Sequence, residues 1–152
     1  MYSQEQVREA TLEYFNGDEL AANVFMTKYC LRDKKGNFLE KTPDDMHRRL
    51  ASEFARIETR FEQNRTKGLG GGTYAHRPGP CFTEPEIYSY LKDFKYIVPQ
   101  GSPMMGIGND YVNVSLSNCV VVDNPQDNVS SIMDTGKDLA NLFKRRCGVG
   151  LD

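Results

Sequence analysis

Thiols are the side chains in this sequence best equipped for chemistry, and there are four: Cys30, Cys81, Cys119 and Cys147. A thiolate can attack an electrophile, ligate a soft metal or exchange electrons by closing a disulfide. None of the four sits in a CxxC pair, so neither a zinc ribbon nor a thioredoxin-like couple is legible in local spacing. In a reducing compartment such scattered thiols are mostly inert small hydrophobes. Cys119 follows Ser115-Leu116-Ser117-Asn118 and precedes Val120-Val121-Val122, a setting that by itself fits a packing residue in a valine-rich strand. His47 and His76 have no persuasive partners; His47 is expected on a helix surface and His76 in a loop. A metal site built from Cys30, His76 and Cys81 would lack the usual paired spacing, so none is expected.

Phosphate chemistry has a weaker local signature. Gly68-Leu69-Gly70-Gly71-Gly72 is glycine-rich, but no lysine-serine or lysine-threonine pair ends it and no convincing strand precedes it. It reads as a flexible connection. The net charge of -2 and a pI near 5.7 exclude a general nucleic-acid coat, which rests on a basic surplus. Any phosphate site must be local. Direct nucleic-acid binding is not expected.

These residues need elements to position them. Ser3-Gln4-Glu5-Gln6 has capping-box form, and Val7, Ala10, Thr11 and Tyr14 follow at helical spacing until Asn16-Gly17. Asp18 can cap a second helix through about Tyr29, with Ala21, Ala22, Phe25, Met26 and Tyr29 near its buried side. Residues Arg32 to Asn37 form a polar turn. Thr42-Pro43-Asp44-Asp45 then combines a capping hydroxyl, a proline at the first helical position and two carboxylates at the positive end of the macrodipole. The spacing predicts a long helix with Met46, Leu50, Phe54, Ile57 and Phe61 inward and Arg48, Arg49, Glu53, Arg56 and Arg60 on a solvated face. Thr83 to Glu86 opens another helix, with Ile87, Tyr90, Leu91 and Phe94 at apolar spacing.

Beyond that point the period changes to two. Tyr96-Ile97-Val98 is a candidate brief strand; Val112, Val114 and Leu116 alternate with polar residues before Val120-Val121-Val122, predicting a partly buried strand. Asp127 or Asn128 can cap a last helix carrying Val129, Ile132, Met133, Leu139 and Phe143 and ending in Lys144-Arg145-Arg146, with Gly148-Val149-Gly150 as a closing glycine turn. A lone strand-helix unit is not a complete α/β sheet. Either the strands pair inside an irregular α+β domain or their neighbours lie on another polypeptide.

Four ordered motifs carry a resemblance. They are Gly101-Ser102-Pro103-Met104-Met105, Ser115 to Val122 around Ser117-Asn118-Cys119, Asp127-Asn128-Val129-Ser130-Ser131-Ile132, and Lys144 to Leu151 around Cys147-Gly148-Val149-Gly150. In this order and spacing they resemble the start of the ten-stranded α/β barrel of ribonucleotide reductase large subunits. The earlier helices, including Lys41 to Met46 and Arg48-Arg49-Leu50-Ala51, resemble that family's helical N-terminal domain. The resemblance divides the chain into a mainly helical domain, 1–94, and the beginning of the catalytic barrel, 95–152.

The same resemblance implies roles. The family replaces a ribose 2′-hydroxyl by hydrogen through thiyl-radical chemistry while two further cysteines supply electrons and become a disulfide. Cys119 matches the N-terminal member of that pair. Ser102 and Asn118 match substrate contacts, and Cys147-Gly148 fall where backbone amides face the substrate. Asp127, Asn128 and Val129 match the segment that binds a deoxynucleoside triphosphate or ATP effector, although one residue more than usual separates Cys119 from Asp127. Asp127 serves equally as a helix cap. A Cys119–Cys147 disulfide is the minor alternative, since the resemblance places the true partner downstream.

The family's radical cysteine, second redox cysteine and C-terminal reductant pair have no match here. The expectation is therefore a fragment or split subunit, inactive without the remaining C-terminal part of the large subunit and binding no cofactor itself. Its partners would be that remainder, a ribonucleotide, an effector and a radical-generating subunit, with the radical source, diiron-type or adenosylcobalamin, undecided. A non-catalytic nucleotide-binding regulatory module is the alternative, and an unrelated helical interaction protein a third reading. No apolar run has membrane-spanning length and the first residues do not form a signal peptide, so a cytoplasmic location is expected and no membrane partner.

Overall fold

The computed structural model describes residues 1–66 and 81–151. The glycine run Gly68 to Gly72 and His76 lie outside the described residues. Helix α1, Gln4–Tyr14, begins with the expected box: the Gln6 amide donates to Ser3 Oγ at 3.2 Å and the Ser3 amide to Gln6 Oε1 at 2.9 Å. Helix α2, Glu19–Val24, is capped by Asp18, whose carboxylate accepts the Ala21 amide at 2.9 Å. It runs into a π turn, Phe25–Tyr29, closed by the Cys30 amide on the Phe25 carbonyl. The extra residue of such a turn shifts the register of the side chains after it. Here it aims Lys28 and Tyr29 at the second half of the chain.

Helix α3, Pro43–Thr66, is the long helix that the Thr-Pro-Asp-Asp signal predicts. Asp45 accepts the Lys41 and Thr42 amides at 2.8 and 3.1 Å, satisfying donors that an unaided helix start would leave orphaned. Its buried arc differs from the expected stripe. Met46, His47, Leu50 and Ala51 are fully enclosed, whereas Phe54 and Phe61 are half-exposed. His47 is therefore a core residue and not a surface one. Arg49 leaves the expected polar face as well: its side chain is 10% exposed and pairs with Glu40 at 2.6 Å, itself 5% exposed. The partners that draw both residues inward lie outside the helix, Glu40 on the segment before it and Phe94 and the Met104 carbonyl far along the chain, so helical spacing does not reveal them.

Helix α4, Glu84–Leu91, opens on the Thr83/Glu86 box and packs along α3 through Leu91. A tight turn with Asp93 and Phe94 at positive φ ends it. Tyr96 to Val98 is not a strand; the Ile97 amide instead returns to the Tyr90 carbonyl. Helix α5, Gly101–Gly106, rests on the π turn and contributes Met104 to a core shared by Val7, Phe25, Met26, Phe38, Met46, Leu50 and Leu91.

The last third holds a β-α-β unit. Strand β1 is Cys119–Val121, α6 is Val129–Lys144, and β2 is Gly148–Gly150, with β1 and β2 parallel in the register Cys119 to Gly148 and Val121 to Gly150. The segment expected as a closing glycine turn is thus a strand. Conversely Val112 to Leu116 is irregular, with Val114 seated against Gly106 so closely that a Cβ there would lie 2.3 Å from Val114 Cγ2. Asn128 caps α6 by accepting the Ser131 amide at 2.9 Å, leaving Asp127 free of that task. At the far end the Arg146 amide returns to the Phe143 carbonyl and the Cys147 amide to the Leu142 carbonyl, a Schellman closure with Arg146 at φ 60 where glycine is usual.

Candidate functional site

Asn118 is the hub that brings the two halves together. Its backbone carbonyl accepts the Gly148 amide at 2.6 Å, which begins the β1–β2 pairing. Its side-chain oxygen accepts the Ser102 amide at 2.7 Å, satisfying one of the unpaired donors at the start of α5 from sixteen residues away. Pro103 follows in the first turn, where a proline loses no hydrogen bond. On the other side Gly101 lies against Tyr29, and a Cβ there would stand 3.3 Å from the ring. Ser102, Asn118 and Tyr29 are thereby fixed relative to one another.

Between these parts opens a cleft of about 410 Å³, bounded by Lys28 and Tyr29 of the π turn, Gly101, Ser102 and Met105 of α5, Val114, Asn118 and Cys119, and Arg146 beyond α6. Cys119 is solvent-exposed within it. Three residues picked out in the sequence, Ser102, Asn118 and Cys119, meet at this one place. Gly148 adjoins them: a Cβ would come within 3.1 Å of Cys119 Sγ, so glycine keeps the space beside the thiol open. Its amide is taken by the strand ladder and is not turned to the cleft.

Cys147 behaves differently. It is buried, its Sγ lies 3.4 Å from the Gly148 carbonyl, and it does not line the cleft. Cys119 and Cys147 are both free thiols. Asp127, Asn128 and Val129 stand at the start of α6, outside the cleft; Asn128 is occupied as the cap, and Asp127 and Val129 are exposed. The remaining thiols have no comparable access. Burial, reinforced by the Glu40 carboxylate, pushes Cys30 up to about 12, and its Sγ–H donates to the Glu40 carbonyl at 3.2 Å. Burial and the Glu62 carboxylate also raise Cys81.

Lys28, Tyr29, Met105 and Arg146 are the cleft residues that sequence reading missed. Tyr29 carried a partial signal as an inward residue of the second helix, and Arg146 one as part of the basic last turn. Nothing local shows that they face each other. A buried ion pair steadies the arrangement: Arg49 donates to Glu40, to the Met104 carbonyl at 3.0 Å and to the Ile107 carbonyl, gripping the C-terminal end of α5.

The fold defines a helical layer that packs α5 against a thiol-bearing β-α-β unit. A family model described as "Ribonucleotide reductase, all-alpha domain" matches residues 15–110, and the chain belongs to that family, which forms the N-terminal helical part of the reductase large subunit. The match takes in α2 to α5 and Ser102 and ends before Cys119. No curated protein and no solved structure gave a significant match. No helix among the described residues is long and apolar enough to cross a membrane.

Proposed function

We propose that this chain forms the N-terminal part of a ribonucleotide reductase large subunit and supplies Cys119 as one of the two thiols that reduce the substrate. The reading divides it into a helical domain, 1–94, and the opening of a ten-stranded α/β barrel, 95–152, of which β1, α6 and β2 are the first pieces. In the overall reaction two thiols become a disulfide, the ribose 2′-oxygen leaves as water and hydrogen takes its place, so the two electrons lost by sulfur are those gained by carbon. Cys119 is one of those thiols. Its partner and the radical-bearing thiol belong to the remaining C-terminal part of the subunit, and the radical source, a diiron-type partner or adenosylcobalamin, binds outside these residues.

Ser102 offers a hydroxyl to the ribose or phosphate, and Asn118 orients it by fixing the start of α5. Gly148 leaves room for the sugar beside the thiol. Asp127, Asn128 and Val129 form part of an effector seat for ATP or a deoxynucleoside triphosphate, with Asp127 accepting from the effector sugar. The protein would work in the cytoplasm. Convergence of Ser102, Asn118 and Cys119 on one cleft is the observation that supports this reading most strongly.

Reconstitution with the rest of the large subunit, a radical source and an external reductant tests it. Cys119→Ser is expected to keep fold and nucleotide binding, since the volume change is small, and to lose multiple turnover, because a hydroxyl cannot enter a disulfide. Cys30→Ser, Cys81→Ser and Cys147→Ser are expected to retain substantial turnover. Normal turnover by Cys119→Ser would end the assignment, and selective failure of Cys147→Ser would move it there.

A further inference from the structure

The Cys119 cleft has an electrostatic character that Ser102, Asn118 and the thiol do not account for. Two cations line it, Lys28 and Arg146, and no aspartate or glutamate does. Neither cation is in an ion pair among the described residues, although the chain as a whole carries a net charge of -2. A cationic wall on an acidic protein is a local feature that favours an anion. The two charges reach the cleft by irregular backbone: Lys28 on the π turn, Arg146 at φ 60 in the helix-closing position that glycine normally fills. Backbone irregularities of this kind gather at ligand sites. The Arg146 guanidinium donates to the Met105 thioether, a weak acceptor that a phosphate oxygen displaces readily.

We propose that Lys28 and Arg146 together form the seat for the phosphate groups of the nucleotide, within the cleft that exposes Cys119. The assignment rests on the reading of that cleft as a ribonucleotide site, and it names the end of the substrate that the helical layer holds. A cleft of about 410 Å³ falls in the range of small-ligand sites. Lys28 comes from the helical domain and Arg146 from the end of α6, so an anion bound by both also bridges the two halves of the chain.

Cys119 reports on its own surroundings. The whole 152-residue chain is alkylated with neutral iodoacetamide and, separately, anionic iodoacetate, and the Cys119 peptide is quantified by mass spectrometry. Both reagents attack through the same thiolate, so its fraction cancels in the iodoacetate-to-iodoacetamide rate ratio, which isolates the pull of the cations on an incoming anion. In Lys28→Gln combined with Arg146→Gly this ratio is expected to fall roughly fivefold, the size set by nearby unit charges in water-like surroundings. Inorganic pyrophosphate should slow both reactions in the unaltered chain and not in the double variant; uridine should slow them equally in both. Glycine at 146 relieves the left-handed strain, so loss of the ratio in Arg146→Gly alone, with a thermal midpoint that does not fall, separates lost charge from lost fold.

An unchanged ratio together with unchanged pyrophosphate protection in the double variant overturns the phosphate seat. The result is independent of turnover. A charge-dependent ratio in a protein whose Cys119→Ser variant reduces ribonucleotides normally would overturn the reductase role of Cys119 and leave the phosphate seat standing.

Discussion

His47 is enclosed on every side, its ring edge-on to Phe94 at 4.5 Å between centroids, and neither ring nitrogen has a hydrogen-bond partner. Burial lowers its pKa below the ordinary 6.5, with Asp44 and Asp93 opposing in part. The folded chain therefore holds the neutral ring while the unfolded chain takes up a proton below about 6.5, so stability declines as pH falls through that value. His47→Leu removes the proton-binding difference and the unsatisfied nitrogens, whose burial costs about 1–3 kcal/mol. Thermal melts between pH 7 and 5 should show a flatter dependence in His47→Leu and a higher midpoint at the acidic end; parallel dependences would contradict the assignment. At this scale sequence reading succeeded where a residue's neighbours are local. Ser3, Asp18, Thr83 and Asn128 all cap as their types and spacing indicate. It failed for His47 and Arg49, polar types that take inward positions because Phe94 and the α5 carbonyls reach them from afar and Glu40 from outside the helix.

Helices α3 and α5 meet through Arg49, and the same guanidinium satisfies the Glu40 carboxylate, which in turn accepts the Leu31 amide at 2.9 Å. Removing one member of such a pair leaves an uncompensated buried charge. Arg49→Ala is expected to destabilise the chain by about 3–5 kcal/mol in urea unfolding, and Glu40→Leu with Arg49→Met by much less than the two single changes summed. A loss under about 1 kcal/mol for Arg49→Ala would mean that the pair behaves as a surface bridge. Element type was largely legible: α1, α2, α3, α4 and α6 all begin at local signals. Of the two strands, β1 falls on the end of the predicted strand at Val120-Val121, and β2 falls where the sequence predicts a turn. A three-residue strand such as Gly148–Gly150 has too little periodicity to distinguish it from a turn, and only its pairing with Cys119–Val121 reveals it. The cleft was legible in the positions of Ser102, Asn118 and Cys119, while Lys28 and Arg146, brought in by a π turn and a left-handed arginine, gave no spacing signal.

Across the whole molecule the apolar surface is uneven. The helical layer encloses its core, whereas α6 buries no residue and leaves Val129, Ile132, Met133 and Phe143 exposed. On the reductase reading the rest of the barrel covers this face, and the chain by itself reduces no ribonucleotide. The same reading assigns effector control to that assembly: Asp127→Ala in the reconstituted enzyme should alter effector-dependent substrate preference more than maximal turnover, by about 1–3 kcal/mol of coupling. Unchanged preference across ATP and the deoxynucleoside triphosphates would remove Asp127 from that role. The central claim is that Cys119 gives up electrons, and its oxidation state during reaction tests this most directly. The reconstituted enzyme, prereduced and freed of external reductant, is mixed with ribonucleotide, quenched in acid and alkylated, and Cys119 is followed by mass spectrometry against the deoxyribonucleotide formed. Loss of alkylatable Cys119 into a disulfide, in proportion to product, is the predicted result; product formed while Cys119 remains a free thiol would contradict it.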